Sequence, residues 1–145
     1  MTIPDHDRIT SYVLTQIAKQ HLVNKPYLIR MIQYISKVSE SEANEIIERM
    51  VVEKEIDEHM ALSKNMRPYS FYTAGGDSVT LNQILTPLLE ALHNCGELSI
   101  SYAAEITGYS ELVVRTLLTH LLLECVVDYK GDLESPTFYL PWDEK

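Results

Sequence analysis

Gly108-Tyr109-Ser110-Glu111-Leu112-Val113-Val114-Arg115-Thr116-Leu117-Leu118-Thr119-His120-Leu121 is the stretch on which the fold turns. Gly108 offers the left-handed backbone that commonly ends a helix. Ser110 then caps a new helix, in which Val113, Val114, Leu117, Leu118 and Leu121 fall at helical spacing. Upstream, residues 101–107 read as a short helix and Glu97-Leu98-Ser99-Ile100 as a short extended piece. Before these, Leu81, Ile84, Leu85, Leu88, Leu89 and Leu92 define a long amphipathic helix, which Pro87 should kink or whose start it should shift. Downstream, residues 125–129 and 137–140 read as strands around the turn-rich segment 130–136.

The first half of the chain reads the same way. Ile9, Val13, Leu14 and Ile17 predict a helix over residues 6–20, with Asp5 as its cap. Asn24-Lys25-Pro26 interrupts it, and Tyr27, Leu28, Met31, Ile32 and Ile35 begin a second helix. Ser39 with Glu42 forms a capping box ahead of a third helix bearing Ala43, Ile46, Ile47, Met50 and Val51. Residues 56–62 and 70–73 read as strands around the turn 64–68. The halves align at an offset of 71, pairing Val13 with Ile84, Ile35 with Ile106, Ser39 with Ser110 and Ile46 with Leu117. With a four-residue gap, Phe71-Tyr72 aligns with Phe138-Tyr139. The expected fold class is mainly α with small β-hairpins (α+β), divided into residues 1–74 and 75–145.

Helix, short helix, turn, longer helix and hairpin, given twice, resembles the winged helix-turn-helix fold in tandem. The quoted stretch is similar to the turn and recognition helix of bacterial winged-helix regulators. Val126-Val127-Asp128-Tyr129 resembles a first wing strand and residues 130–136 a wing tip. The resemblance implies a DNA-associated regulator whose third helices enter the major groove and whose wings touch backbone. Tandem winged helices also serve as protein-binding subunits of condensin-like and membrane-sorting complexes, so the fold alone leaves the function open.

Charge tests that implication. The chain has 145 residues and a net charge of −9. Residues 1–74 hold 9 Lys/Arg and 10 Asp/Glu, while residues 75–145 hold 3 and 11, so −8 of the total belongs to the second half. Such a balance excludes a protein whose whole surface grips phosphates. The first-half third helix carries Glu40, Glu42, Glu45 and Glu48, a face suited to docking protein. On the second, Ser110, Arg115, Thr116, Thr119 and His120 are the polar positions, and Arg115 is its candidate DNA contact. The best basic cluster is Lys25, Arg30 and Lys37, beside Tyr27, Gln33 and Tyr34, with Lys64 and Arg67 on the first wing. The two readings are therefore a DNA-associated regulator using Lys25, Arg30, Lys37, Lys64, Arg67 or Arg115, and an acidic adaptor or DNA mimic. The adaptor would dock a basic or DNA-binding protein through Glu42, Glu45 and Glu48, with Trp142 as a further anchor.

No phosphate-binding loop, dinucleotide fingerprint or zinc-protease motif occurs, and no close His or Cys pair suggests zinc. The chain reads as non-enzymatic, with no cofactor or metal. Cys125 reads as a buried, inert thiol. Two cysteines, no apolar run long enough for a membrane span and no secretory signal at the N-terminus point to a cytoplasmic protein. The third helix of the second half, from Leu112 to Leu123, is apolar over more than one stripe, so it should be covered on two sides. A homodimer through the leucine-rich helices would supply the second cover.

Overall fold

Helix caps set the local structure. The computed structural model describes residues 6–75, 79–132 and 134–141. Asp5, the segment Gly76-Asp77-Ser78 and Trp142 lie outside the described residues. The elements are α1 (His6–Gln20), β1 (Val23–Asn24), α2 (Lys25–Ser36), α3 (Glu40–Val52), β2 (Ile56–Leu62), β3 (Pro68–Ala74), α4 (Val79–Cys95), β4 (Glu97–Ser99), α5 (Ile100–Thr107), α6 (Glu111–Leu123), β5 (Asp128–Lys130) and β6 (Thr137–Tyr139). The fold is mixed α+β, with antiparallel three-stranded sheets of order β1-β3-β2 and β4-β6-β5. No helix among the described residues is long and apolar enough to cross a membrane.

The chain forms two compact units, Met1–His59 with Ser70–Thr80, and Met60–Tyr69 with Leu81–Lys145. The tip of the β2–β3 hairpin therefore belongs to the second unit. In the first, Ile9, Val13 and Ile17 of α1 meet Leu28, Met31 and Ile32 of α2, and Ala43, Ile46, Ile47 and Met50 of α3. Val23, Ile56 and Tyr72 close this core from the sheet. In the second unit the buried residues include Ala61 and Leu62, Leu81, Ile84, Leu85, Leu88 and Leu92 of α4, Leu98, Ile100, Ala103, Val127 and Phe138, and most of α6. Truncating one such leucine or isoleucine to alanine costs about 2–5 kcal/mol.

One stretch of backbone occurs twice, bond for bond. Lys37 N–H donates to Gln33 O and Gly108 N–H to Ala104 O, both at 2.9 Å. Ser39 and Ser110 each accept from the amide three residues on, and Glu42 completes the capping box by accepting from Ser39 N–H. After the helices, Glu53, Lys54 and Glu55 donate to Arg49, Val51 and Met50, as Glu124, Cys125 and Val126 donate to His120, Leu122 and Leu121. Every second member stands 71 residues after the first. Nearer the N-terminus the matching positions stand 75 apart. His21 and Gly96 both take positive φ, and Asn24 and Ser99 cap α2 and α5. The difference arises because α2 has 12 residues and α5 only 8.

An offset of 71 at Val13 is consequently one helical turn out of register. At 75, the buried Ile9, Val13 and Ile17 match the buried Ile84, Leu88 and Leu92. The last strand also shifts from expectation. Val23 opposes Tyr72 while Leu98 opposes Phe138, so Tyr72 and not Phe71 holds the position of Phe138. A one-residue slip exchanges the two faces of a strand, and apolar pattern alone did not resolve it because Phe71 and Tyr72 are both buried.

Two local expectations are corrected as well. The strand expected over 125–129 begins only at Asp128, because Cys125 has φ 63° and turns the chain out of α6. That position leaves Cys125 exposed rather than buried. Pro87 lies inside α4, which runs from Val79 to Cys95. Pro87 and Gln83 are both exposed, so water can satisfy the Gln83 carbonyl that Pro87 leaves without a donor. Gly75 is required by close approach: a Cβ there would run into the backbone of Lys54 and lie 2.9 Å from Glu55 O.

Tyr72 gives the first unit a pH dependence. Its ring is fully buried and its hydroxyl donates to Glu58 Oε2 at 3.1 Å. Burial, then the Glu58 carboxylate, hold the phenol protonated well above the ordinary tyrosine range. The unfolded chain releases that proton near pH ~10, whereas the folded chain keeps it. The stabilisation is therefore complete below that pH and is lost as pH rises past it. Relative to Tyr72→Phe, wild-type stability should fall by up to about 1.4 kcal/mol for each pH unit above ~10. Urea midpoints measured at neutral and alkaline pH check this, and parallel curves for the two proteins would contradict it.

Candidate functional site

Helical spacing puts Arg115, Thr116, Thr119 and His120 on one side of α6, where the resemblance calls for an exposed reading surface. Thr116 is instead 2% exposed, Thr119 6% and His120 9%. The cover is the segment 60–69 of the same unit. His120 Nδ1 lies 2.8 Å from Met60 O, and since a carbonyl only accepts, this nitrogen carries the proton. The Tyr69 hydroxyl lies 2.9 Å from Thr116 Oγ1. Thr119 Oγ1 turns back to Arg115 O and Thr116 O, at 2.9 and 3.2 Å. All three polar side chains are thus satisfied by the chain itself.

The turn that shapes this segment is local. Ser63 N–H donates to Arg67 O, and Ser63 Oγ accepts from Asn65 N–H and Arg67 N–H. Met66 completes the reversal with φ 63°. Across the unit, Asp132 Oδ1 accepts from Glu134 N–H and Ser135 N–H, which fixes the loop leading to β6. Two of the expected DNA contacts converge there. Arg115 Nη2 donates to Glu134 O at 3.3 Å, and Lys64 Nζ sits 3.8 Å from Glu134 Oε1. Lys130 is paired with Glu97 at 2.7 Å. The cations of this unit that were expected near DNA are largely turned onto its own acids and carbonyls, Arg67 excepted.

The first unit differs. Lys25 and Arg30 line an open groove of about 500 Å³ with Pro26, Ile29 and Gln33 of α2 and Glu40 and Asn44 of α3. Gln33 Nε2 donates to Val38 O, steadying the turn beneath Lys37. Lys37 is the left-handed C-cap of α2, the role that Gly108 has after α5. Asn44 Nδ2 donates to Glu40 O, which fixes the amide orientation and leaves the buried Oδ1 without a partner. Tyr34 is 77% exposed beside Arg30, while the Tyr27 hydroxyl accepts from Gln20.

On α3 the acids divide by role. The Glu42 carboxylate is held by Ser39 N–H at 2.9 Å, so it belongs to the cap. Glu45 and Glu48 are exposed, together with Val52 at 78%. Of the expected docking residues, Trp142 lies outside the described residues. Most of the leucines that suggested a second copy are buried in the chain; Leu89 and Leu122 are half-buried, and Leu112 and Leu123 exposed. Among the described residues no three His, Cys, Asp or Glu side chains converge on a point fit for a metal.

Sequence reasoning found Lys25 and Arg30 but not the other groove-lining residues Pro26, Ile29 and Asn44. It also missed Met60 and Tyr69, whose partners are 60 and 47 residues away. The breadth of the apolar surface on α6 was the one available signal that a second side is covered. No protein-family model matches the chain, and no curated protein matches it at a significant level.

Tyr69→Phe should lower stability by about 0.5–1.5 kcal/mol, because it removes a part-buried hydroxyl bond. Lys64→Ala should change it by no more than about 0–1 kcal/mol, since both partners of that pair are exposed. Denaturant unfolding of the two variants checks the contrast, and an equal loss in both would contradict it.

Proposed function

We propose that this chain is a non-enzymatic adaptor of two winged helices in tandem, which binds a basic protein surface through α3. Support for the architecture comes from the element order α-β-α-α-β-β, given twice, and from the bonds that recur 71 residues apart. One observation carries the functional choice: Thr116, Thr119 and His120 are covered by residues 60–69. The second unit therefore lacks the polar surface with which a winged helix reads base edges. The corresponding helix of the first unit presents Glu45 and Glu48 to solvent. These carboxylates repel phosphates and suit lysine- or arginine-rich protein, either as an adaptor surface or as a DNA mimic. The regulator reading is left with Lys25, Arg30, Lys37 and Arg67, since Arg115 and Lys64 engage Glu134.

Fluorescence anisotropy of the full chain with a labelled Lys/Arg-rich peptide and with a short DNA duplex tests this. The peptide should bind, and Glu45→Lys with Glu48→Lys should weaken it by about tenfold or more. The pair Glu105→Lys with Glu124→Lys, both exposed, changes net charge equally and should leave binding near wild type. Equal weakening by both pairs would overturn the docking site. Duplex binding that falls steeply with salt and depends on Arg30 and Lys37 would overturn the adaptor reading in favour of a DNA-associated regulator.

A further inference from the structure

We infer, on the reading of α3 as the docking helix, that the basic surface it meets is supplied by a second copy of this chain, through the exposed face of α2. Residues 8–39 contain five Lys/Arg and no Asp or Glu, in a chain whose net charge is −9. Arg8 is turned onto Ile35 O, whereas Arg30 and Lys37 are exposed and have no ion-pair partner among the described residues. Tyr27, Arg30 and Tyr34 stand at i, i+3 and i+7 of α2, which puts them on one stripe. Both tyrosines are exposed, Tyr34 at 77%, and Lys37 follows at the end of the helix. Glu45, Glu48 and Val52 stand at the same spacing on α3 and are exposed as well, Val52 at 78%. One stripe is thus basic and aromatic, the other acidic and apolar.

This complementarity selects a second copy over nucleic acid. Against α3, Arg30 and Lys37 meet carboxylates, while the tyrosine rings and Val52 leave water together. A duplex laid along α2 would bring phosphates to Glu40, which lines the same groove as Arg30. Both stripes belong to the first unit, so each copy gives and receives the contact. Exposed ion pairs contribute little each, so the assembly is weak and reversible. The net negative charge opposes approach at long range, but physiological salt screens it beyond ~8 Å.

Sedimentation equilibrium of the full chain at physiological ionic strength, between about 10 µM and 1 mM, reads the assembly. Reducing buffer prevents disulfides between the exposed Cys95 and Cys125 of different copies. Wild-type mass should rise above that of one chain with concentration. Arg30→Glu with Lys37→Glu, and separately Glu45→Lys with Glu48→Lys, should each weaken association by about tenfold or more. An equimolar mixture of these two variants should associate again, because each carries the complement of the other while both keep a net negative charge. The pair Glu105→Lys with Glu124→Lys should leave association as in wild type. Circular dichroism of each variant establishes that it is folded. A single-chain mass at every concentration, in a protein that still binds the Lys/Arg-rich peptide, would overturn this inference alone and leave the α3 reading standing. Association insensitive to both charge reversals, or no recovery on mixing, would also overturn it. So would duplex binding that depends on Arg30 and Lys37 in a chain that stays single.

Discussion

The hydrogen bonds from His120 to Met60 O and between Tyr69 and Thr116 hold the segment 60–69 on α6, and the second unit is organised around them. A helix as apolar as α6 needs cover on more than one side. Val114, Leu117, Leu118 and Leu121 are buried on one side, and the threonines and His120 on the other. Because those polar groups are paired, their burial carries no large desolvation penalty. The same seating places Lys64 beside Glu134, which also receives Arg115 at its carbonyl. Positive charge that would otherwise stand free at the surface is thereby engaged within the unit.

The caps explain how much of the fold was legible. Ser39 with Glu42, and Ser110 after Gly108, are short-range signals, and each sits where spacing placed it. The position of α1, α2, α3 and the long α4 followed from apolar periodicity for the same reason. What failed depended on conformations that residue type does not announce. Lys37, Lys54 and Cys125 take left-handed backbone without being glycine, which costs roughly 1–2 kcal/mol each and is imposed by the surrounding bonds. The extra turn of α2 and the exchange of Phe71 for Tyr72 likewise require knowledge of pairing, not of pattern.

The site was legible only as a list of charges. Lys25, Arg30, Glu45 and Glu48 are exposed or groove-lining, as their types suggest. Which charges are engaged was not legible, because Lys64, Arg115 and Glu134 come from distant parts of the sequence. The same limit applies to Thr116, Thr119 and His120. Their spacing puts them on one stripe, but nothing local says that the stripe is covered. The net charge of −9 is therefore distributed with some order: acids on α3 are exposed, while Lys64, Arg115 and Lys130 of the second unit engage Glu134 and Glu97.

Thiol labelling at position 116 tests the covering of α6 most directly. Cys95 and Cys125 are exposed and are first replaced by serine. In that background Thr116→Cys is nearly isosteric, and Leu112→Cys, at a position 62% exposed on the same helix, serves as reference. If residues 60–69 are seated on α6, position 116 reacts at least about a hundredfold more slowly than 112, because labelling must wait for local opening. Equal reaction rates at the two positions would contradict the covered surface and return α6 to the role of an exposed reading helix.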